Sequence, residues 1–301
     1  MTAGSPSVSV VIATHHRPEL LRKALDAVSA QTYAGPVECV VVFDQAPVDE
    51  SFAGPSVKVV PNARTAGLAG ARNTGIDVAQ GDLVAFCDDD DEWFPSKLSA
   101  QVSRLEASGA DVVVSGIEVH HQDRVVPRVP SEADLVVTEL ARRRVMEAHP
   151  STVLVRRTAL LERIGLVDEE IPGAYGEDFD WILRAAQAGP IAVVSEPLVK
   201  VRWGAQSYFQ QRWRTIIDSI DYGLRKHAVL SADPRGHARL VGRKAFAHAA
   251  LGESRPALRF AWKAFRMNWK ELRAYIACVV ALRLLTADRA LRLAHSRGRG
   301  I

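Results

Sequence analysis

Four consecutive aspartates, Asp88-Asp89-Asp90-Asp91, follow directly on the apolar run LVAFC at residues 83–87. Packing does not explain such a cluster, because repulsion among adjacent carboxylates is relieved only by solvent or by a cation. A helix start would use one or two of them, as a cap and as partners of the helix dipole, and residues 95–105 do read as a helix. Four acids point instead to a hard divalent ion, Mg2+ or Mn2+, which prefers carboxylate oxygens and needs few protein ligands when a diphosphate completes its shell. A second acidic group, Glu177-Asp178, opens the helix-like stretch at 176–188 (GEDFDWILRAAQA). In isolation that pair reads equally as acids favouring a helix N-terminus.

These side chains can meet only if the backbone brings them to one place. Residues 8–13 (VSVVIA) form a β-branched run, THHR follows, and Pro18 suits a first helical position. Leu20, Leu21, Ala24, Leu25 and Val28 then recur at helical spacing. Residues 38–43 (ECVVVF) predict a second strand ending at Asp44, residues 57–60 a third, and residues 69–79 a helix stopped by Gly81. Continuous apolar strands alternating with helices predict an α/β fold: a mostly parallel sheet flanked by helices. Ligands bind such sheets beyond the carboxyl ends of the strands, where Thr14, Asp44 and the aspartate run converge. Residues 111–118 and 151–155 read as further strands. Residues 212–295 read as mostly helical, with breaks near Asp233-Pro234-Arg235-Gly236 and at 252–256.

Four segments occur in a telling order: VSVVIATHHRPELLRKAL from Val8, GLAGARNTG from Gly67, GDLVAFCDDDDEWFPSKL from Gly81 and GEDFDW from Gly176. Together they resemble the family 2 glycosyltransferases, which have the nucleotide-diphospho-sugar fold called GT-A. The resemblance implies a metal-dependent, inverting transfer of sugar from a nucleotide-diphosphate donor, UDP-linked or similar, to an acceptor hydroxyl. It implies that Asp88 and Asp89 support the donor, and that Asp90 with Asp88 holds the metal. Thr14 and Asp44 are expected beside the nucleobase, although this chain has Phe43-Asp44 where the family usually has two acids. Arg72 and Asn73 match an A-R-N segment near the nucleotide; the residues alone also allow an ordinary capped helix with a surface arginine. Glu177 and Asp178 match the acceptor-side acids, with Asp178 the expected general base, which desolvation must lift from the ordinary pKa of ~4. Trp181 is expected in the core, with acceptor stacking as the alternative. A histidine serving some relatives as a third ligand has no evident counterpart in Arg202-Trp203-Gly204, and His15, His16 and His149 read as loop or strand-edge residues.

The overall charge of +3 conceals an asymmetry. Residues 1–204 carry 19 Lys and Arg against 29 Asp and Glu, whereas residues 205–301 carry 19 against 6. The expected division is a catalytic domain at 1–204 and a basic helical extension at 205–301. Cations interspersed with Trp213, Phe246, Phe260, Trp262, Phe265, Trp269 and Tyr275 suggest peripheral contact with an anionic membrane face; the same aromatics could equally form the core of a helical appendage. Nucleic acid is a poor partner, because no reading motif accompanies the charge. Cys39, Cys87 and Cys278 read as reduced thiols, and with only a short polar leader before the first strand the cytoplasm is the expected address. Carbohydrate, lipid-linked and small-molecule acceptors all remain open. Two alternatives compete with transfer. A nucleotidyltransferase would need a glycine-rich basic loop after the first strand, and THHRPE has no glycine. A non-catalytic sugar-binding or scaffold protein would be expected to lose its acids, and both groups are intact.

Overall fold

The computed structural model describes residues 4–121, 124–202 and 212–295. Its elements begin β1 (Val8–Thr14), α1 (Pro18–Ser29), β2 (Val37–Phe43), β3 (Val57–Pro61), α2 (Leu68–Val78), β4 (Leu83–Asp88), β5 (Glu92–Trp93) and α3 (Lys97–Ser108). They continue with β6 (Val112–His121), β7 (Arg124–Arg128), α4 (Val137–Arg142), β8 (Leu154–Arg156), the single turn α5 (Arg157–Ala159), α6 (Glu177–Ala188) and β9 (Ile191–Arg202). Helices complete the chain: α7 (Trp213–Lys226), α8 (Val229–Ala232), α9 (Pro234–Ala250), α10 (Ser254–Met267), α11 (Leu272–Ala281) and α12 (Ala287–His295).

Two units result. One comprises residues 1–136, 145–169 and 177–205; the other comprises 137–144, 170–176 and 206–301. The division expected between 204 and 205, like Trp203 and Gly204, lies outside the described residues, and two earlier short segments group with the helices.

The first unit is built on one nine-stranded sheet, in the order β3-β2-β1-β4-β8-β6-β9-β5 with β7 beside β6. β1 to β4 pair in parallel, β8 runs antiparallel to both β4 and β6, and β9 is parallel to β6. The strands read as unbroken apolar runs because both faces are covered. Val8, Val10 and Ile12 share one cluster with Leu21, Ala24 and Val28 of α1, while Val40 and Val42 face Ala71 of α2. Helix α2 lies close to β1 because Gly75 has no side chain: a Cβ there would fall 2.2 Å from Val11 Cγ1. Residues 151–155 do not form a full strand. Pro150–Thr152 is a 3-10 turn, and only Leu154–Arg156 pairs. The break expected near Asp233 falls between α8 and α9, where the Asp233 carboxylate caps the Arg235 and Gly236 N–H groups and Pro234 stands in the first turn of α9.

Behind the aspartate run, Lys97 is wholly buried. Its ammonium donates to Gln101 Oε1 at 2.7 Å and lies 3.7 Å from the centre of the Trp93 ring. Gln101 in turn donates to the Thr152 carbonyl at 2.6 Å, tying α3 to the turn before β8. Burial lowers the Lys97 pKa from 10.5 to about 7, with Cys87 opposing. Between these values the unfolded chain holds a proton that the folded chain does not, so stability must rise with pH. From pH 7 to 9 the wild type should gain roughly 1 kcal/mol per pH unit relative to Lys97→Met. Denaturant unfolding of both proteins at pH 7, 8 and 9 measures this, and parallel stability profiles would refute it.

Candidate functional site

The turn after β4 sorts the four aspartates. Asp91 N–H donates to the Asp88 carbonyl at 3.1 Å, closing a tight turn with Asp88 and Asp91 at its ends and Asp89 and Asp90 at its corner. The corner acids turn toward the loop after β1. Asp89 is buried and accepts from the Thr14 hydroxyl at 2.8 Å and from Arg17 at 3.2 Å. Asp90, its side chain 46% exposed, meets the same Arg17 guanidinium at 3.0 Å.

The end acids turn the other way, toward the segment before β8. Asp91 accepts from Ser151 Oγ at 2.6 Å and lies 3.3 Å from His149 Nδ1. His149 Nε2 lies 3.9 Å from Asp88 Oδ2, and Ser151 Oγ accepts from the Asp88 N–H at 2.9 Å. Asp88, Asp91 and His149 each offer one ligand atom, all within 4.8 Å of one another. Two carboxylates and an imidazole make a donor set that suits Mn2+, and the two carboxylates alone would serve Mg2+, so the residues fit a divalent ion. This group combines Asp88 with Asp91 and His149, whereas Asp90 pairs with Arg17, because i and i+3 of the turn share a side. His149 reads in the sequence as a loop or strand-edge residue, since it is the antiparallel pairing of β8 with β4 that brings it to the aspartates.

Arg72 links this group to the second acidic segment. From α2 its buried guanidinium reaches Asp88 Oδ1 at 2.6 Å and Glu177 Oε1 at 2.8 Å. It is therefore a buried ion-pair residue and not a surface arginine. Burial opposes its charge, but the two carboxylates overcome that and raise its pKa. Asp88 is likewise penalised by burial, yet Arg72 and His149 hold its carboxyl below the usual range. Asp91 has no arginine, and burial, reinforced by Asp88, pushes it up to about 7 despite His149. Burial also raises Asp89, with Thr14 and Arg17 opposing.

Beside Arg72 an open cleft of about 330 Å3 is lined by Phe86, Pro150, Glu177, Asp178 and Trp181, among others. Asp178 is partly exposed, whereas Glu177 is buried against Arg72. Trp181 is buried, donates to the Gly165 carbonyl at 3.2 Å and packs edge-on against Phe86. Asn73 stands apart from this cleft chemistry: its amide donates to the Val167 carbonyl and Glu169 and accepts from the Val167 N–H. Asp44, at the end of β2, accepts from Gly67 N–H at 3.0 Å and Asn62 at 2.8 Å. Burial resists its charge, but these donors hold its carboxyl below the ordinary range.

Removing Arg72 would leave Asp88 and Glu177 without their shared buried cation. Arg72→Met should destabilise the fold by roughly 3–5 kcal/mol at neutral pH, and adding Glu177→Gln should recover part of the loss. A double-mutant cycle in urea tests this; additive losses would show that the pair is uncoupled.

The profile of Glycosyl transferase family 2 matches residues 9–163, just over half of the chain. The succinoglycan biosynthesis protein ExoO of Rhizobium meliloti (strain 1021) is 32% identical over 136 residues, covering 43% of this chain and 38% of that protein. Among solved structures, S. aureus TarS 1-349 in complex with UDP-GlcNAc superposes with a TM-score of 0.61 at 15% identity, covering 97% of this chain and 92% of that one. The mannosyltransferase PcManGT from Pyrobaculum calidifontis, in complex with GDP-Man and Mn2+, gives 0.57 at 19% identity, covering 96% and 83%. These two likenesses speak to the fold, a GT-A type sheet flanked by helices with helices following. The chain therefore belongs to glycosyl transferase family 2 and is a glycosyltransferase.

Proposed function

We propose that this glycosyltransferase moves a sugar from a nucleotide-diphosphate donor to an acceptor hydroxyl with inversion, in the synthesis of a glycan, cell-surface polysaccharide or glycolipid. The observation that carries this reading is the buried Arg72 bridge, which joins the group Asp88, Asp91 and His149 to the cleft acids Glu177 and Asp178. The nucleotide sugars bound to TarS and PcManGT support the donor class, and the polysaccharide role of ExoO supports the pathway class.

In this reading Thr14, Asp44, Arg72, Asn73, Asp88 and Asp89 serve the donor, the first and last as a hydrogen-bonded pair and Asn73 by anchoring the helix that carries Arg72. Asp88 is the metal ligand common to the sequence expectation and the three-residue group, with Asp91 and His149 completing it and Asp90 held outward by Arg17. A divalent cation bound there supplies positive charge for the departing diphosphate. Asp178 accepts the proton of the attacking hydroxyl as the new bond to the anomeric carbon forms and the bond to the diphosphate breaks. Glu177 is the less suited base, because Arg72 already occupies its carboxylate. Incubation with a panel of nucleotide sugars and Mn2+ should release a nucleoside diphosphate, and EDTA should abolish the release. Asp178→Asn should lower kcat by ~10²-fold or more with donor KM nearly unchanged. Full activity in EDTA would remove the metal from the mechanism, and an unimpaired Asp178→Asn would remove the base.

A peripheral membrane contact is the second part of the reading. Among the described residues no helix is long and apolar enough to cross a membrane. The core of the helical unit uses alanines of α9, α10 and α11 around Phe246, with Trp213, Phe260 and Phe265 partly buried against it, so the appendage reading accounts for those aromatics. Trp262 and Trp269 are 66% and 68% exposed, and Leu272, Tyr275, Val279 and Leu282 form an exposed stripe along α11. Exposed cations Arg255, Arg259, Lys263 and Arg266 line α10. Tryptophan and arginine side by side suit the headgroup layer of an anionic leaflet at the inner, cytoplasmic face. The full-length protein should sediment with anionic liposomes at low salt and less so at high salt. Trp262→Ser with Trp269→Ser should weaken this; recovery in the supernatant under every condition would exclude it.

A further inference from the structure

The turn that delivers His149 and Ser151 to the aspartates is held from within and from behind. Within it, the Thr152 N–H and hydroxyl both donate to the His149 carbonyl, at 2.8 and 2.7 Å, and close the 3-10 turn Pro150–Thr152. From behind, Gln101 Nε2 of α3 donates to the Thr152 carbonyl at 2.6 Å, with the Val113 carbonyl of β6 at 3.4 Å. Gln101, Ser151 and Thr152 are all wholly buried. In such a setting a hydrogen bond is electrostatically stronger than at the surface, and a broken one is costly.

A glutamine amide can point either way round, and Lys97 settles which. Lys97 Nζ donates to Gln101 Oε1 at 2.7 Å, while the carbonyls of Thr152 and Val113 on the far side can only accept. Reversing the amide would set its NH2 against Nζ and its oxygen against two carbonyl oxygens. Lys97 is itself seated 3.7 Å from the centre of the Trp93 ring. A methionine would fill much the same space without the cost of burying an amine, so what the lysine adds is the direction of one amide. The direction matters at the other end of the turn. His149 Nδ1 lies 3.3 Å from Asp91, and Ser151 Oγ donates to Asp91 at 2.6 Å and accepts from the Asp88 N–H at 2.9 Å. Any shift of the turn therefore moves the imidazole and the serine hydroxyl together, relative to both aspartates.

We propose that Gln101, aimed by Lys97, is a positioning residue for the cation group: it fixes where the 149–152 turn stands against Asp88 and Asp91, and so sets the affinity for a divalent ion. The inference rests on the reading of Asp88, Asp91 and His149 as a metal site, to which Gln101 and Lys97 contribute no ligand.

The test is titration of the full-length protein with Mn2+ alone, without donor, followed by the electron paramagnetic resonance signal of free Mn2+. Gln101→Glu keeps the shape and gives Lys97 a carboxylate partner, but, ionised beside that amine, turns an acceptor toward the Thr152 carbonyl. It should weaken Mn2+ binding about tenfold, the lower end of the loss when a residue that orients a metal ligand is removed. Lys97→Met leaves the amide unaimed and should weaken binding too, by less than Gln101→Glu; it decides the matter where Gln101→Glu does not fold. Val102→Ala opens a gap under the same helix without touching the amide and should leave Mn2+ affinity unchanged. Unchanged affinity in either folded variant, or an equal loss in Val102→Ala, would overturn the positioning role and leave the metal reading standing. Absence of Mn2+ binding by the wild type would overturn both.

Discussion

Arg72 is a single guanidinium placed between two acidic segments that lie far apart in the sequence. Asp88 ends a central strand and Glu177 opens a helix, and without a cation between them their approach would be repulsive. A buried arginine with two carboxylates is costly to desolvate and tolerates little geometric error. The chain meets that demand through backbone contacts. Gly70 lies so near the Thr65 carbonyl that a Cβ would fall 1.9 Å from it, and Gly75 lies equally close against Val11. Asn73, next to Arg72, exchanges two hydrogen bonds with the backbone of Val167. Helix α2 is thus fixed against strand and loop before its arginine is asked to bridge anything.

Within this frame identical side chains acquire different chemistry. Asp88 beside Arg72 is held as a carboxylate, whereas Asp91, deeper and without a guanidinium, is pushed toward neutrality. Two acids three positions apart therefore differ in their readiness to meet a cation. The difference comes from the depth of Asp91 and the guanidinium beside Asp88, and not from the turn that carries both. Ser151 connects them, accepting from the backbone of one and donating to the carboxylate of the other.

The parallel half of the sheet was legible in the sequence because its strands are buried on both faces and read as continuous Val and Ile runs, each followed by a polar residue. The aspartate run was legible because acids directly after a buried strand have few structural explanations, whereas Glu177-Asp178, at a helix start, stood out only through its place in the four-segment resemblance. What pattern could not supply was pairing. β8 is three residues long and β5 two, too short for periodicity, yet β8 carries the turn that brings His149 and Ser151 to the aspartates. The burial of Arg72 was equally hidden, since α2 is enclosed nearly all round and its small residues give no amphipathic stripe.

The tight turn after β4 also bears on how such a sequence can change over generations. Its corner residues Asp89 and Asp90 answer to Arg17, while its end residues Asp88 and Asp91 answer to Arg72, His149 and Ser151. A run that looks like one block of four letters is held by two separate sets of side-chain contacts. Substitution at Arg17 releases only the corner, and substitution at His149 only the ends, so descendants should drift in two separate sets, not as one motif.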